Sequence, residues 1–226
     1  IAEKRQPGRE PELFIYDTAN RLTAYRDGNS SLNEKQDSSI DGIGENDGYR
    51  WTHYEYDEFG RLVKEESKAE SIMHPIEPNP KTHAEYRYGG ATYAQGDDPN
   101  QKTPFAIPAY LAFAAVNDVV KNADVSNRNT GLKIYEKLAV IDSAYKSGIN
   151  SYIERAFYYD NKNRVIQTVE KNHLGGINRF SCKYDFTGNI ITSVESIQPG
   201  ATDARTEMKI LYSYDLRGRQ LSEKTY

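Results

Sequence analysis

The chain holds few of the residues on which most metal and redox sites are built: one cysteine, four histidines, two methionines and one tryptophan in 226 residues. The lone Cys182 excludes an internal disulfide framework and any cysteine-rich zinc site. His53, His74, His83 and His173 are scattered without metal-ligand spacing, so no cofactor and no metal site is expected. No stretch approaches the roughly 20 apolar residues of a membrane-spanning helix. Charge of one sign is also scarce. The 33 acidic and 29 basic side chains leave a net charge of −4, without the basic excess that a nucleic-acid binder requires. Leu, Ile, Val and Phe supply only 44 residues, which limits the core, yet the low net charge argues against disorder. No basic, apolar, small-residue succession opens the chain as a secretory leader would. Because Ile1 stands first, a processed product or an excised piece is expected.

Tyrosine is what the chain has in quantity. Eighteen Tyr offer large surfaces that can be buried on one side while the hydroxyl stays wet, which suits thin, two-faced β structure. Their placement is not random. Tyr-Asp occurs at Tyr16-Asp17, Tyr56-Asp57, Tyr159-Asp160, Tyr184-Asp185 and Tyr214-Asp215, where chance placement gives about one such dipeptide. Three residues after each Asp stands Asn20, Gly60, Asn163, Gly188 or Gly218, and then Arg21, Arg61, Arg164, Asn189 or Arg219.

Each part of this unit has a mechanical reason. Asp at the first position of a type I turn accepts hydrogen bonds from the N–H groups ahead of it. A closing G1 bulge needs positive φ, which Gly and Asn tolerate best. The unit therefore predicts five hairpins in which Tyr pairs with the residue after the turn. Tyr16 then faces Leu22, Tyr56 faces Leu62, Tyr159 faces Val165 and Tyr184 faces Ile190, aromatic to aliphatic contacts worth roughly 0.2–1 kcal/mol each. Tyr214 meets Gln220 instead.

The unit resembles the YD repeat of the Rhs and teneurin family, most fully in Tyr54-Glu-Tyr56-Asp57-Glu-Phe-Gly60-Arg61-Leu62 and Tyr212-Ser-Tyr214-Asp215-Leu-Arg-Gly218-Arg219. Residues 131–199, with Phe157-Tyr158-Tyr159-Asp160 and Asn172-His173-Leu174-Gly175-Gly176, are similar to the version in large secreted or wall-associated proteins of Bacteroidetes. The departures are Asn at 20 and 163, Asn189 in place of Arg, and the long gap between Asp57 and Asp160. The resemblance implies a curved or spiralling sheet of consecutive hairpins, part of a shell-like array. It also implies an extracellular or cell-envelope setting, neighbouring repeats of the same polypeptide as partners, and an enclosed C-terminal toxin or other cargo. The family's toxin and self-cleaving core match no residues here, so no enzyme activity is expected.

The resulting expectation is one mainly β fragment of a repeat array over 1–226. Hairpins fall near 12–27, 49–69, 150–172, 177–197 and 205–226, with irregular insertions near 28–48 and 95–130. Residues 1–11 read as an extended lead-in. Pro75, Pro78 and Pro80 forbid a central strand there. Ile107–Asn117 is the one convincing short apolar helix candidate, suited to capping an otherwise polar interior. The final stretch, 219–226, alternates like the return arm of a hairpin and would leave an open sheet edge.

Other chemistry is weaker. Glu55 and Asp57 alternate on one strand, but glycosidase carboxylates must face each other across a substrate. Cys182 stands two residues before Tyr184, where Phe14, Tyr54, Phe157 and Tyr212 stand in the other units, and no histidine is tied to it as a base. Gly96-Asp97-Asp98-Pro99-Asn100 reads as a turn, lacking the distal Glu of an EF-hand. A carbohydrate-binding module, with tyrosines stacking on sugar rings, is the alternative to a structural repeat.

Overall fold

Among the described residues the regular structure of the computed structural model comprises fifteen strands and two single-turn 3₁₀ helices, with no α-helix. Those residues are 1–5, 7, 11–27, 48–71, 81–95, 98–140 and 151–226. The strands are β1 (Ala2–Lys4), β2 (Glu12–Tyr16), β3 (Leu22–Arg26), β4 (Gly48–Tyr56), β5 (Leu62–Ser71), β6 (Lys81–Tyr88), β7 (Thr92–Gln95) and β8 (Asp98–Pro104), then β9 (Lys133–Ala139), β10 (Tyr152–Tyr159), β11 (Val165–Lys171), β12 (Ile177–Tyr184), β13 (Ile190–Ile197), β14 (Thr206–Tyr214) and β15 (Gln220–Thr225). Thirteen follow one another in chain order through a single sheet, while β7 and β8 form a separate two-stranded ribbon. The pairs from β1–β2 to β5–β6 and from β9–β10 to β14–β15 are antiparallel.

The expected register holds at every Tyr-Asp hairpin. Tyr16 pairs with Leu22, Tyr56 with Leu62, Tyr159 with Val165, Tyr184 with Ile190 and Tyr214 with Gln220, each beside a one-residue shift in register. The lead-in contributes β1, paired with β2. The expected insertion near 28–48 and the Pro75–Pro80 stretch lie outside the described residues, except that Gly48 already begins β4.

Two compact units divide the chain, Ile1–Glu85 and Tyr86–Tyr226. In the first, the buried positions among the described residues are Ala24, Arg26, Glu66, Ser67 and Ala84, a largely polar set. The second has a cover. Leu111 packs with Tyr135, Ala156 and Val169, while Val119 and Val120 pack with Ile166 and Val194. Residues 105–126, part of the expected irregular insertion, thus supply the apolar layer over strands β9 to β13.

The helix expected over Ile107–Asn117 is corrected to one 3₁₀ turn, Ala109–Leu111, followed by extended backbone at Ala112 (φ −60°, ψ 148°). The reason is tertiary. The Gln167 side chain donates to the Ala114 carbonyl at 2.8 Å and accepts from the Ala114 N–H at 2.9 Å, and Tyr158 Oη donates to the Leu111 carbonyl at 2.7 Å. Backbone groups that a helix would pair internally are paired with the sheet instead.

Candidate functional site

The five Tyr-Asp turns share one construction. Each Asp N–H donates to the carbonyl of the residue four positions on, and the Gly or Asn N–H donates back to the Asp carbonyl. The residue closing the turn is left-handed in all five: Asn20 (φ 60°), Gly60 (79°), Asn163 (62°), Gly188 (101°) and Gly218 (76°). In Asp17, Asp57, Asp160 and Asp215, Oδ1 accepts from the N–H groups two and four residues on. Oδ2 accepts from the Nε of Arg21, Arg61, Arg164 and Arg219 respectively, at 2.7 Å in each case. Asp185 differs because Asn189 replaces the arginine. Its partners are Thr187, Gly188 and Asn189, all neutral.

These bonds hold the carboxylates ionised. The Thr187 hydroxyl bond and the neighbouring N–H groups pull Asp185 down to about 2. Asp17 and Asp215 are lowered first by the N–H of Arg21 and of Arg219. At Asp57 and Asp160 burial pushes upward, but the bonds from Arg61 and Arg164 outweigh it and leave both below the ordinary value.

Successive hairpins are tied by the repeat tyrosines. Tyr56 Oη donates to the Leu22 carbonyl at 2.8 Å, Tyr159 to Lys133 at 2.6 Å, Tyr184 to Val165 at 2.8 Å and Tyr214 to Ile190 at 2.9 Å. The arginines lean the same way. The Arg21 guanidinium lies 4.9 Å from the centre of the Tyr56 ring, and that of Arg164 lies 4.4 Å from the Tyr184 ring. Arg164 Nη1 also donates to the Asp185 carbonyl at 3.1 Å. Sequence reasoning placed the Tyr opposite its hairpin partner and missed this second role. The invariant Tyr hydroxyl, unneeded for aliphatic pairing, was the available signal.

A further turn of the same design joins β11 to β12. Asn172 Oδ1 accepts from the N–H groups of Leu174 and Gly176, and Asn172 Nδ2 donates to the carbonyls of Gln198 and Pro199 at 3.0 Å. Asn serves here because its amide adds donors that a carboxylate lacks.

The remaining candidates come to rest in structural positions. Cys182 is buried, its thiol donates to the Val165 carbonyl at 3.3 Å, and burial raises its pKa, the reverse of nucleophile activation. Glu55 Oε1 lies 3.8 Å from Lys64 Nζ, while Asp57 belongs to its turn. His83 Nε2 meets Ser67 Oγ at 2.7 Å, His53 sits on β4 opposite Glu66, and His173 lies in the Asn172 turn. His74, Gly96 and Asp97 lie outside the described residues, and Asp98 begins β8. Among the described residues no group of three or more His, Cys, Asp or Glu side chains is arranged to hold a metal ion, and no helix is long and apolar enough to cross a membrane.

Within each unit the turns are braced on the strands before them, Tyr56 on Leu22 in the first and Tyr159, Tyr184 and Tyr214 on Lys133, Val165 and Ile190 in the second. No protein-family model matches the chain, and no curated protein matches it.

Proposed function

We propose that the chain is a non-catalytic structural segment of a large secreted or cell-surface Rhs-type protein, a run of YD repeats in the curved wall of a shell around a toxin or other cargo. The observation carrying this reading is the tie from four of the five repeat tyrosines, Tyr56, Tyr159, Tyr184 and Tyr214, to the backbone of an earlier strand. Such ties make a hairpin lean on the strand before it, which an array stabilised by nearest neighbours requires. Burial of Cys182 and the engagement of each repeat Asp within its own turn speak against a reaction centre. The carbohydrate-binding alternative draws less support, because the Tyr56 and Tyr184 ring faces are already covered by Arg21 and Arg164.

The deciding experiment is electron cryo-microscopy of the natural polypeptide that carries this segment. The expected result is a wall in which these strands continue into neighbouring repeats around protease-protected protein. A free module with both sheet faces in solvent would overturn it. So would turnover of glycan, peptide or nucleic-acid substrates, or selective hits on a glycan array.

A further inference from the structure

At two junctions between hairpins an arginine covers the next repeat tyrosine: Arg21 over Tyr56 and Arg164 over Tyr184. The third junction keeps the tyrosine tie, Tyr214 to the Ile190 carbonyl, but has Asn189 in the arginine's position. Two consequences follow from that shorter side chain. A groove of about 580 Å³ opens between the two turns, lined by Asp185, Asn189, Tyr212, Tyr214 and Asp215. The Asp185 carboxylate also lacks the Nε partner that Asp17, Asp57, Asp160 and Asp215 all hold. The charge of nearby Arg164 is committed elsewhere, its Nη2 lying 2.6 Å from Asp160 Oδ2.

We propose that this groove receives the arginine side chain of a partner polypeptide, whose guanidinium stacks on Tyr214 and neutralises Asp185. The chemistry is the chain's own. At the preceding junction Arg164 stacks on Tyr184 and donates to the Asp185 carbonyl, and the corresponding carbonyl here is that of Asp215. A planar guanidinium fits a ring face and a carbonyl together better than an ammonium does. Phe186 and Leu216, 88% and 108% exposed, also line the groove and offer apolar contact to residues flanking the arginine, which favours a peptide over the free amino acid. This inference stands apart from the shell reading and holds whether or not a cargo is enclosed.

The test is titration of the ¹⁵N-labelled chain with an acetylated, amidated tripeptide Leu-Arg-Leu, with its citrulline counterpart, and with free arginine, followed by NMR. Saturable shifts confined to residues 185–189 and 212–218 are expected, with citrulline and free arginine at least tenfold weaker. Asn189→Arg supplies the missing cation internally and is expected to weaken peptide binding at least tenfold while retaining the native spectrum. No saturable shift, shifts elsewhere, equal binding of citrulline or free arginine, or unchanged binding by a folded Asn189→Arg would each overturn the proposal. Should that variant lose the native spectrum, the citrulline comparison on the unaltered protein carries the decision.

Discussion

The Tyr184 hydroxyl donates to the Val165 carbonyl at 2.8 Å, joining the turn end of one hairpin to the first return residue of the hairpin before it. Removing that hydroxyl without changing the ring isolates the bond. Tyr184→Phe is expected to cost about 0.5–1.5 kcal/mol by chemical denaturation. Tyr16→Phe is the control, since Tyr16 is 43% exposed, and it should change stability by less than about 0.5 kcal/mol. Equal effects would refute the tie as a stabilising contact.

Gln167 is fully buried and holds the covering segment through both backbone groups of Ala114, while also donating to Ser181 Oγ at 2.8 Å. Gln167→Leu leaves those partners without their bonds, at a cost of about 1–3 kcal/mol for each group left dry. Hydrogen exchange at Ala114 should accelerate in that variant. Unchanged exchange would mean that the Gln167 bonds do not hold the cover.

The ionised turn carboxylates predict an acid limit. Asp185 titrates at about 2 in the folded chain against an ordinary value of 3.8. The unfolded chain therefore binds this proton first as pH falls. The contribution is complete above about pH 4 and disappears as pH drops toward 2. A carboxyl NMR titration of Asp185 with its midpoint near 2 is the expected outcome. A midpoint near the ordinary value would show a turn that does not hold its hydrogen bonds in solution.

The tyrosines predict an alkaline limit by the opposite sign. Burial, then the bond to the Glu154 carboxylate, pushes Tyr110 up to about 12, and burial also raises Tyr158, Tyr159 and Tyr184. Their neutral forms favour the folded state up to the ordinary value near 10, and that support is lost as pH rises through the raised values. Absorbance at 295 nm should reveal a late tyrosinate fraction released together with unfolding. Titration of all tyrosines in one step near pH 10 would contradict it.

Gly176 and Gly188 separate two reasons for glycine. A Cβ on Gly176 would lie 1.9 Å from the Gln198 carbonyl oxygen, so backbone must move, whereas a Cβ on Gly188 meets open space and only its φ of +101° resists. Gly188→Ala is expected to cost about 1–2 kcal/mol, and Gly176→Ala measurably more in the same denaturation experiment. The reverse order would mean that the β11 to β12 turn and the Gln198 backbone are not in close contact.

The turns were legible because their determinants lie within a few residues. Asp17, Asn20 and Arg21 specify a hairpin through contacts at most four positions apart, and the register of Tyr16 on Leu22 follows. The ties between hairpins were not, because Tyr56 reaches Leu22 across 34 positions and only the order of strands brings them together. The Ile107–Asn117 segment misled for the same cause. Its alanines suit a helix locally, but Gln167, 53 residues away from Ala114, decides its backbone. The gap at Asn189 was visible as a departure from the repeat, though its meaning depended on where Arg164 leans.

The tyrosine ties all point one way along the chain: every donor is later in the polypeptide than the carbonyl it finds, at 56 to 22, 159 to 133, 184 to 165 and 214 to 190. A ribosome delivers residues in that same order. Each emerging hairpin therefore meets an acceptor already released from the exit tunnel, and registration proceeds vectorially, without waiting for the end of synthesis.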